Sequence, residues 1–448
     1  MSANHAAKLE AKFRHAQDLH QQGKRRQAAK LYRSVLNARP DHCGALHYLG
    51  LLAHQEGNGE TAIRLLRSAI ERQPGYFDAI MNLGNVLQEQ ERFAEAADCY
   101  RRAIALRPAE AATHTNLSVS LRRQERLEGA IEAGRTAVQL DPDYLIGWYN
   151  LGNAYKVAQQ YNQAIACYQK AIDLKPDLTL AHDSLCQSTY QLESRSVLGR
   201  VTFSKTRKAY EQWLACEPDN ALAQFMLQAI HGKEPMPRAP DAVVRSMFDQ
   251  FARSFETHLE QLDYRLPRML PALLQDLLGP PQASLAVVDG GCGTGLCAPA
   301  LKPWARRLTG VDLSGAMLER ARKKGLYDEL FEAELTQFLQ QQAGAFDVAV
   351  YADTLCYFGD LQEVLRASAQ ALGNRGSLLF TLEAAAAQDG SRGFRLHPSG
   401  RYTHTTAYVQ QTLQACGFAQ IVIRSDSMRT EVGKPVEGLV VAARKSAP

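Results

Sequence analysis

The 448-residue sequence predicts two folds in series: an α-helical solenoid, then a doubly wound α/β domain. Three observations predict this. Pro40, Pro74, Pro108, Pro142 and Pro176 recur every 34 residues. Beyond Pro281, short apolar runs alternate with amphipathic stretches, the pattern of a parallel sheet covered by helices. One of these runs enters "VVDGGCGTG" (287–295), where Gly291, Gly293 and Gly295 stand at alternate positions.

The repeat comes first along the chain. Small residues keep the same 34-residue phase: Gly50, Gly84, Ser118 and Gly152, and Ala28, Ala62, Ala96, Ala130 and Ala164. They let two helices of one unit approach closely, and the proline ends the second helix. A single unit cannot bury its own apolar face, so the units must stack. Five units run from about residue 9 to 176. A degraded sixth ends at Pro218, with an excess of eight residues around 192–202, and a helix near 220–230 caps the stack. "WYNLGNAYKVAQQYNQAIACYQKAIDLKP" (148–176) resembles the tetratricopeptide repeat, which implies a superhelix that holds a protein or peptide in its groove. Asn82, Asn116 and Asn150 also fall 34 apart. An amide both donates and accepts, so this row suits a ladder along a bound peptide backbone. Exposed polar positions or bridges between units fit the same spacing.

Pro235, Pro237 and Pro240 break the periodicity within 231–241, which reads as a stiff linker between a solenoid (1–230) and a second domain (242–448). In that domain, strands are expected at "LAVVDGG", "RLTGVDLS", "FDVAVYAD", "GSLLFTLE", "AQIVIRSD" and "EGLVVAARK", with a weaker one at "YDELFEAEL". Helices are expected at about 314–324, 360–372 and 405–416. Ligands of such sheets sit beyond the carboxyl ends of the strands.

Gly291 and Gly293 allow the close backbone approach that a bulky ligand needs. A nicotinamide fingerprint wants glycine where Leu296 stands, so a different ligand is indicated. Asp289 can hold a free amino group. Asp312, 21 residues after Gly291 at the end of the second strand, can accept both ribose hydroxyls. On "VVDGGCGTG", "GVDLSGAML" and "YADTLCYFGDL", the region from about 240 resembles a class I S-adenosylmethionine-dependent methyltransferase of Rossmann-like fold. It is similar to a bacterial group that joins this domain to tetratricopeptide repeats. The resemblance implies that Asp289, Gly291, Cys292, Gly293 and Gly295 face the methionine moiety, Asp312 the ribose, and Leu313 and Met317 the adenine. It puts Glu334, followed by Leu335, at the adenine amino group, and Tyr351, Ala352 and Asp353 beside the sulfonium. Gly290 departs from the usual leucine and is expected to loosen the strand end. Phe251, Phe255 or Tyr264 would close a lid over the cofactor.

Methyl transfer requires alignment and exclusion of water more than a fixed catalytic set. The acceptor side is expected in 393–410, with Arg395 and Arg401 for a carboxylate, His404 as a base, and Tyr402 and Asp353 beside it; Tyr264 would line the same pocket. A net charge of +4 disfavours a nucleic-acid partner. Nine cysteines, an odd number without a CxxC pair, indicate reduced thiols in a cytoplasmic protein and no structural metal. The start lacks the apolar core of a signal peptide, and no apolar run reaches membrane-spanning length. The alternative function is a repeat scaffold whose cofactor domain is inert.

Overall fold

The computed structural model describes residues 3–195, 202–231, 236–385, 392–431 and 434–446. Pro235 and most of the 192–202 excess lie outside the described residues. The chain divides into two compact units, Met1–Ala209 and Tyr210–Pro448.

The first unit is a run of antiparallel helix pairs: α1 (Ala3–Gln21) with α2 (Arg25–Ala38), α3 (Cys43–Gln55) with α4 (Gly59–Arg72), α5 (Phe77–Glu89) with α6 (Phe93–Leu106), α7 (Ala111–Arg123) with α8 (Leu127–Leu140), and α9 (Leu145–Val157) with α10 (Tyr161–Leu174). α11 (Thr179–Ser194) follows. Each second helix of a pair stops two residues before its proline. The phased glycines sit where a side chain would strike the partner helix. A Cβ on Gly84 would lie 2.7 Å from the Tyr100 ring, and one on Gly152 2.6 Å from the Tyr168 ring. Ser118 fits the same slot by donating its hydroxyl to the Ala130 carbonyl at 2.7 Å. The turn inside each pair passes through a left-handed residue, Gly23, Gly57, Glu91, Glu125 and Gln159, again 34 apart.

The division falls within α12 (Ser204–Cys216), well before the expected linker. α13 (Ala221–His231) therefore does not act as the expected cap of the solenoid. Its Phe225 and Ala229 are buried with Val243, Leu396 and Tyr402 of the second unit.

The second unit continues with α14 (Asp241–Phe251), α15 (Phe255–Gln261) and α16 (Leu266–Leu278). The sheet follows: β1 (Leu285–Gly290), α17 (Ala298–Leu301), β2 (Ala305–Asp312), α18 (Gly315–Lys324), β3 (Glu329–Glu332), α19 (Leu335–Gln340), β4 (Phe346–Tyr351), α20 (Gln362–Ala371) and β5 (Leu372–Ala384). β6 (Phe394–Leu396), β7 (Tyr402–His404), α21 (Thr406–Ala415), β8 (Phe418–Glu431) and β9 (Lys434–Lys445) complete it. The parallel strands lie in the order β3-β2-β1-β4-β5; β9 runs antiparallel beside β5 and carries β8 at its outer side. Strand order reverses at β1 and β4, where Asp289 is in register with both Gly310 and Val350. A doubly wound sheet opens its ligand crevice at this point. Where the sequence suggested a loop, β6 and β7 form a short antiparallel pair on the end of β5. No described helix is long and apolar enough to cross a membrane.

Candidate functional site

The loop after β1 is shaped by three left-handed glycines, Gly291 (φ 72°), Gly293 (φ 53°) and Gly295 (φ 76°). A side chain at Gly291 would collide with Thr354, whose hydroxyl donates to the Gly290 carbonyl at 2.8 Å. Backbone N–H groups of Gly291 and Cys292 donate to the Val311 carbonyl, which ties the loop to β2.

Two carboxylates flank it. Asp312 accepts from the Gly293 N–H through Oδ2 and from the Ser314 N–H through Oδ1, each at 2.8 Å. Burial raises its pKa, while these N–H groups act against the rise. Asp312 and Leu313 remain half-buried at the crevice, whereas Met317 is fully enclosed in the core. Asp289 is 1% exposed. Its Oδ2 accepts from the Tyr327 hydroxyl at 2.7 Å, and its Oδ1 is buried with no hydrogen-bond partner. Burial lifts the Asp289 pKa to about 7; the Tyr327 hydroxyl works the other way, and Asp312 adds to the rise. An unpaired buried carboxylate oxygen is costly unless a ligand completes it.

Several expected positions prove structural. Tyr351 is fully buried and its hydroxyl shares a 2.8 Å hydrogen bond with Ser368, so it does not face the crevice. Gly290 accounts for this: a Cβ there would lie 2.6 Å from the Tyr351 ring and 2.7 Å from Leu335. The departure from leucine thus makes room for two core side chains, and Leu335 is one of them rather than a ligand contact. Glu334 caps α19 through the Gln337 N–H at 2.8 Å and pairs with Arg238 at 3.1 Å. Thr336 also donates to it at 3.0 Å, so Oε1 accepts from both Arg238 and Thr336 while Oε2 holds the Gln337 N–H alone. His404 is fully buried, bonded at 3.0 Å to the Gly359 carbonyl and pushed down to about 4 by burial. It has no access to a substrate. Tyr402 is enclosed too, its hydroxyl donating to the Met236 carbonyl at 2.8 Å. Arg395 lies exposed on β6. Strand alternation explains both: Tyr402 and His404 face inward on β7.

Asp353 and Arg401 do come together, beyond the ends of β4 and β5. Arg401 Nη2 lies 2.6 Å from Asp353 Oδ2 and Nε lies 2.9 Å from Glu383 Oε1. Arg429 Nη2 donates to the same Glu383 oxygen at 2.6 Å, and Nη1 stands 3.8 Å from Asp353 Oδ1. Asp353 itself is left-handed (φ 56°), its N–H held by Thr381 Oγ1. Burial alone would raise its pKa, but Arg401 and Arg429 outweigh it and hold the carboxyl below the usual range. This is an ion-paired floor rather than an open anion pocket or a proton acceptor. Tyr264 packs against the apolar cluster that includes Leu266, Cys297 and Met428.

α14 and α15 cover the loop. The Phe255 ring lies 3.8 Å from where a Gly293 Cβ would stand. Phe255 meets Phe251 and Phe248 edge-on, and Phe248 meets Tyr357 in turn. Asp249 docks on the start of α18, accepting the Ser314 hydroxyl. Asp249, Tyr327, Glu383 and Arg429 carry no motif. Only their positions beside recognisable segments could have drawn attention to them.

In the repeats, Asn82 Nδ2 donates to His47 Nε2 of the preceding pair at 2.8 Å, and Asn116 Nδ2 donates to Asn85 Oδ1 at 3.2 Å. Asn150 donates to the Ile146 carbonyl of its own helix at 2.9 Å. The first two bridge neighbouring pairs. One amide contact of each asparagine is thus made within the repeats. Among the described residues, no cluster could hold a metal, and every cysteine is free.

Comparison with known proteins bears on both units. The methyltransferase domain model matches residues 288–380, and tetratricopeptide repeat models match 13–77, 81–144 and 146–178. The chain thus joins tetratricopeptide repeats to a methyltransferase domain. It is 37% identical over 133 residues to methyltransferase-like protein 27 of Homo sapiens, covering 29% of this chain and 51% of that one. It is 28% identical over 99 residues to ubiquinone biosynthesis O-methyltransferase of Escherichia coli O7:K1, covering 21% and 41%. The chain spans about half the length of the curated relatives it matches. Among solved structures, MamA aligns at 23% identity and a TM-score of 0.35, over 36% of this chain and 94% of that one.

Proposed function

We propose that the second unit transfers a methyl group from S-adenosylmethionine, and that the repeats recruit the protein that is modified or that delivers the substrate. The observation carrying this reading is the pair of carboxylates around the glycine loop. Asp289 offers a buried, unpartnered oxygen that an ammonium group fits, and Asp312 is fixed by two backbone N–H groups where a ribose diol can join them. The left-handed glycines leave backbone room between the two.

When bound, the cofactor supplies an electrophilic methyl group on a sulfonium. The chain's own residues do the rest. Asp289 and Asp312 orient the cofactor's two polar ends. Phe255 and the neighbouring aromatic rings exclude water over the loop. Asp353, kept ionised by Arg401 and Arg429, is a weak base; it supports an acceptor that reaches the site already unprotonated. The cytoplasm is the compartment in which nine unpaired thiols are stable.

The test is transfer itself. Lysate is incubated with the full chain and methyl-labelled S-adenosylmethionine, then fractionated for label. Label should enter a discrete acceptor with wild type and, at limiting cofactor, be strongly reduced with Asp312→Ala. Equal labelling by both would reject the reading.

A further inference from the structure

We infer that Tyr327 is a positioning residue for the cofactor's ammonium group: its hydroxyl fixes Asp289 so that one carboxylate oxygen stays free for the ligand. This rests on the cofactor reading above and extends it to a residue outside the glycine loop and both aspartates.

Tyr327 lies in the connection between α18 and β3, where the sequence pattern is weak. Its place is nevertheless closely defined. The ring occupies a slot made by two glycines: a Cβ on Gly295 would lie 2.9 Å from Cε2, and one on Gly310 2.9 Å from Cδ1. Gly295 is thus needed twice, for its left-handed backbone (φ 76°) and for the tyrosine behind it. The next residue, Asp328, locks the segment to β2. Its N–H donates to the Leu308 carbonyl at 2.9 Å, and its carboxylate accepts the Leu308 N–H at 2.7 Å.

The hydroxyl therefore arrives at Asp289 Oδ2 on a rigid mount, at 2.7 Å. A phenol has one proton to donate, and here it goes to one oxygen only. The other oxygen, Oδ1, is buried and unpartnered. A buried carboxylate without a donor takes up a proton. The groups facing Asp289 do not prevent this: Asp312 at the end of β2 carries like charge, and Cys292 and Cys297 of the loop are thiols that burial keeps neutral. Tyr327 is the donor that opposes protonation. Even so, the carboxyl titrates at about 7, poised for an ammonium to complete it.

Tyr327→Phe keeps the ring in its slot and removes only the hydroxyl. Calorimetric binding of two ligands to the full chain separates the roles. S-Adenosylhomocysteine carries the ammonium; methylthioadenosine lacks the whole amino-acid end. In wild type, S-adenosylhomocysteine affinity should fall as pH drops through about 7, because protonated Asp289 loses its charge. In Tyr327→Phe its affinity at pH 7.5 should fall about fivefold to tenfold, and the acid limb should move up by about one pH unit. Methylthioadenosine should bind both proteins alike. Asp289→Asn should remove the acid limb, and adding Tyr327→Phe to it should change nothing further. Unchanged S-adenosylhomocysteine binding in Tyr327→Phe, an equal loss for both ligands, or a further loss in the double variant would each overturn the inference. Failure of wild type to bind either ligand would instead reject the cofactor reading beneath it.

Discussion

The two units use the same device, a glycine set against a tyrosine ring, for different ends. In the repeats, Gly84 meets Tyr100 and Gly152 meets Tyr168, each pair sixteen residues apart. Each tyrosine hydroxyl then donates to an asparagine of the same unit, Asn85 or Asn153, at 2.8 Å. In the methyltransferase unit, Gly290 meets Tyr351 and Gly295 meets Tyr327 across 61 and 32 residues. One of those rings fills the core and the other reaches a buried carboxylate. Recurrence makes the device structural in the first unit. Burial next to an unpaired oxygen makes it part of a site in the second.

The largest expected effect breaks the second unit at its edge. A chain beginning at Ala239 loses α13 and with it Phe225, which is 2% exposed against Tyr402 and Leu396. Removing a buried phenylalanine alone costs roughly 3–5 kcal/mol. That chain should be poorly soluble, and one beginning at Tyr210 should give a cooperative melt. Equal behaviour of the two in circular dichroism would place α13 outside the unit.

Filling the glycines comes next. Gly290→Leu restores the residue that the methyltransferase motif ordinarily carries, yet here it must displace Tyr351 and Leu335. Overpacking of this kind costs roughly 1–3 kcal/mol or more. Hydrogen exchange should quicken in 285–445 and stay unchanged in 43–174. Gly84→Ala should do the reverse, through the Tyr100 ring. If Gly290→Leu were neutral, the packing account of that departure would be wrong.

A smaller effect separates bridges from a peptide ladder. Asn82→Ala leaves the buried His47 Nε2 unpartnered, at a cost of roughly 1–3 kcal/mol. Asn150→Ala removes only a bond to its own helix and should change stability by less than about 0.5 kcal/mol. Chemical denaturation checks both, and equal small losses would favour a ladder at the surface. pH tests the same contact. Burial holds His47 near 4 in the fold, against 6.5 when free. The unfolded chain therefore binds the extra proton first, and the contribution of His47 to stability is lost as pH falls from about 6.5 to about 4.

Periodicity decided what could be read from the sequence alone. The helix pairs, their prolines and their small contacts recur, so these positions are read four or five times. The central strands β1, β2, β4 and β5 were legible because they are buried apolar runs, and Asp289 and Asp312 because they end such runs. The exposed β3 carries little pattern. Tyr327, Glu383 and Arg429 act through contacts between distant segments, which no local pattern records. The same limit misplaced Tyr402 and His404: their chemistry suggested catalysis, and only the inward alternation of a three-residue strand shows them buried.

The central claim, that the carboxylates around the glycine loop hold S-adenosylmethionine, is tested most directly by calorimetric titration of the cofactor into the full chain and into Asp312→Ala. Charge-assisted hydrogen bonds to the ribose contribute roughly 1.5–3 kcal/mol each, and about 1.4 kcal/mol is a factor of ten in affinity. Wild type should bind one equivalent, and Asp312→Ala should bind at least about tenfold more weakly with its circular dichroism spectrum unchanged. No heat of binding in wild type, or the same affinity in both, would contradict the account.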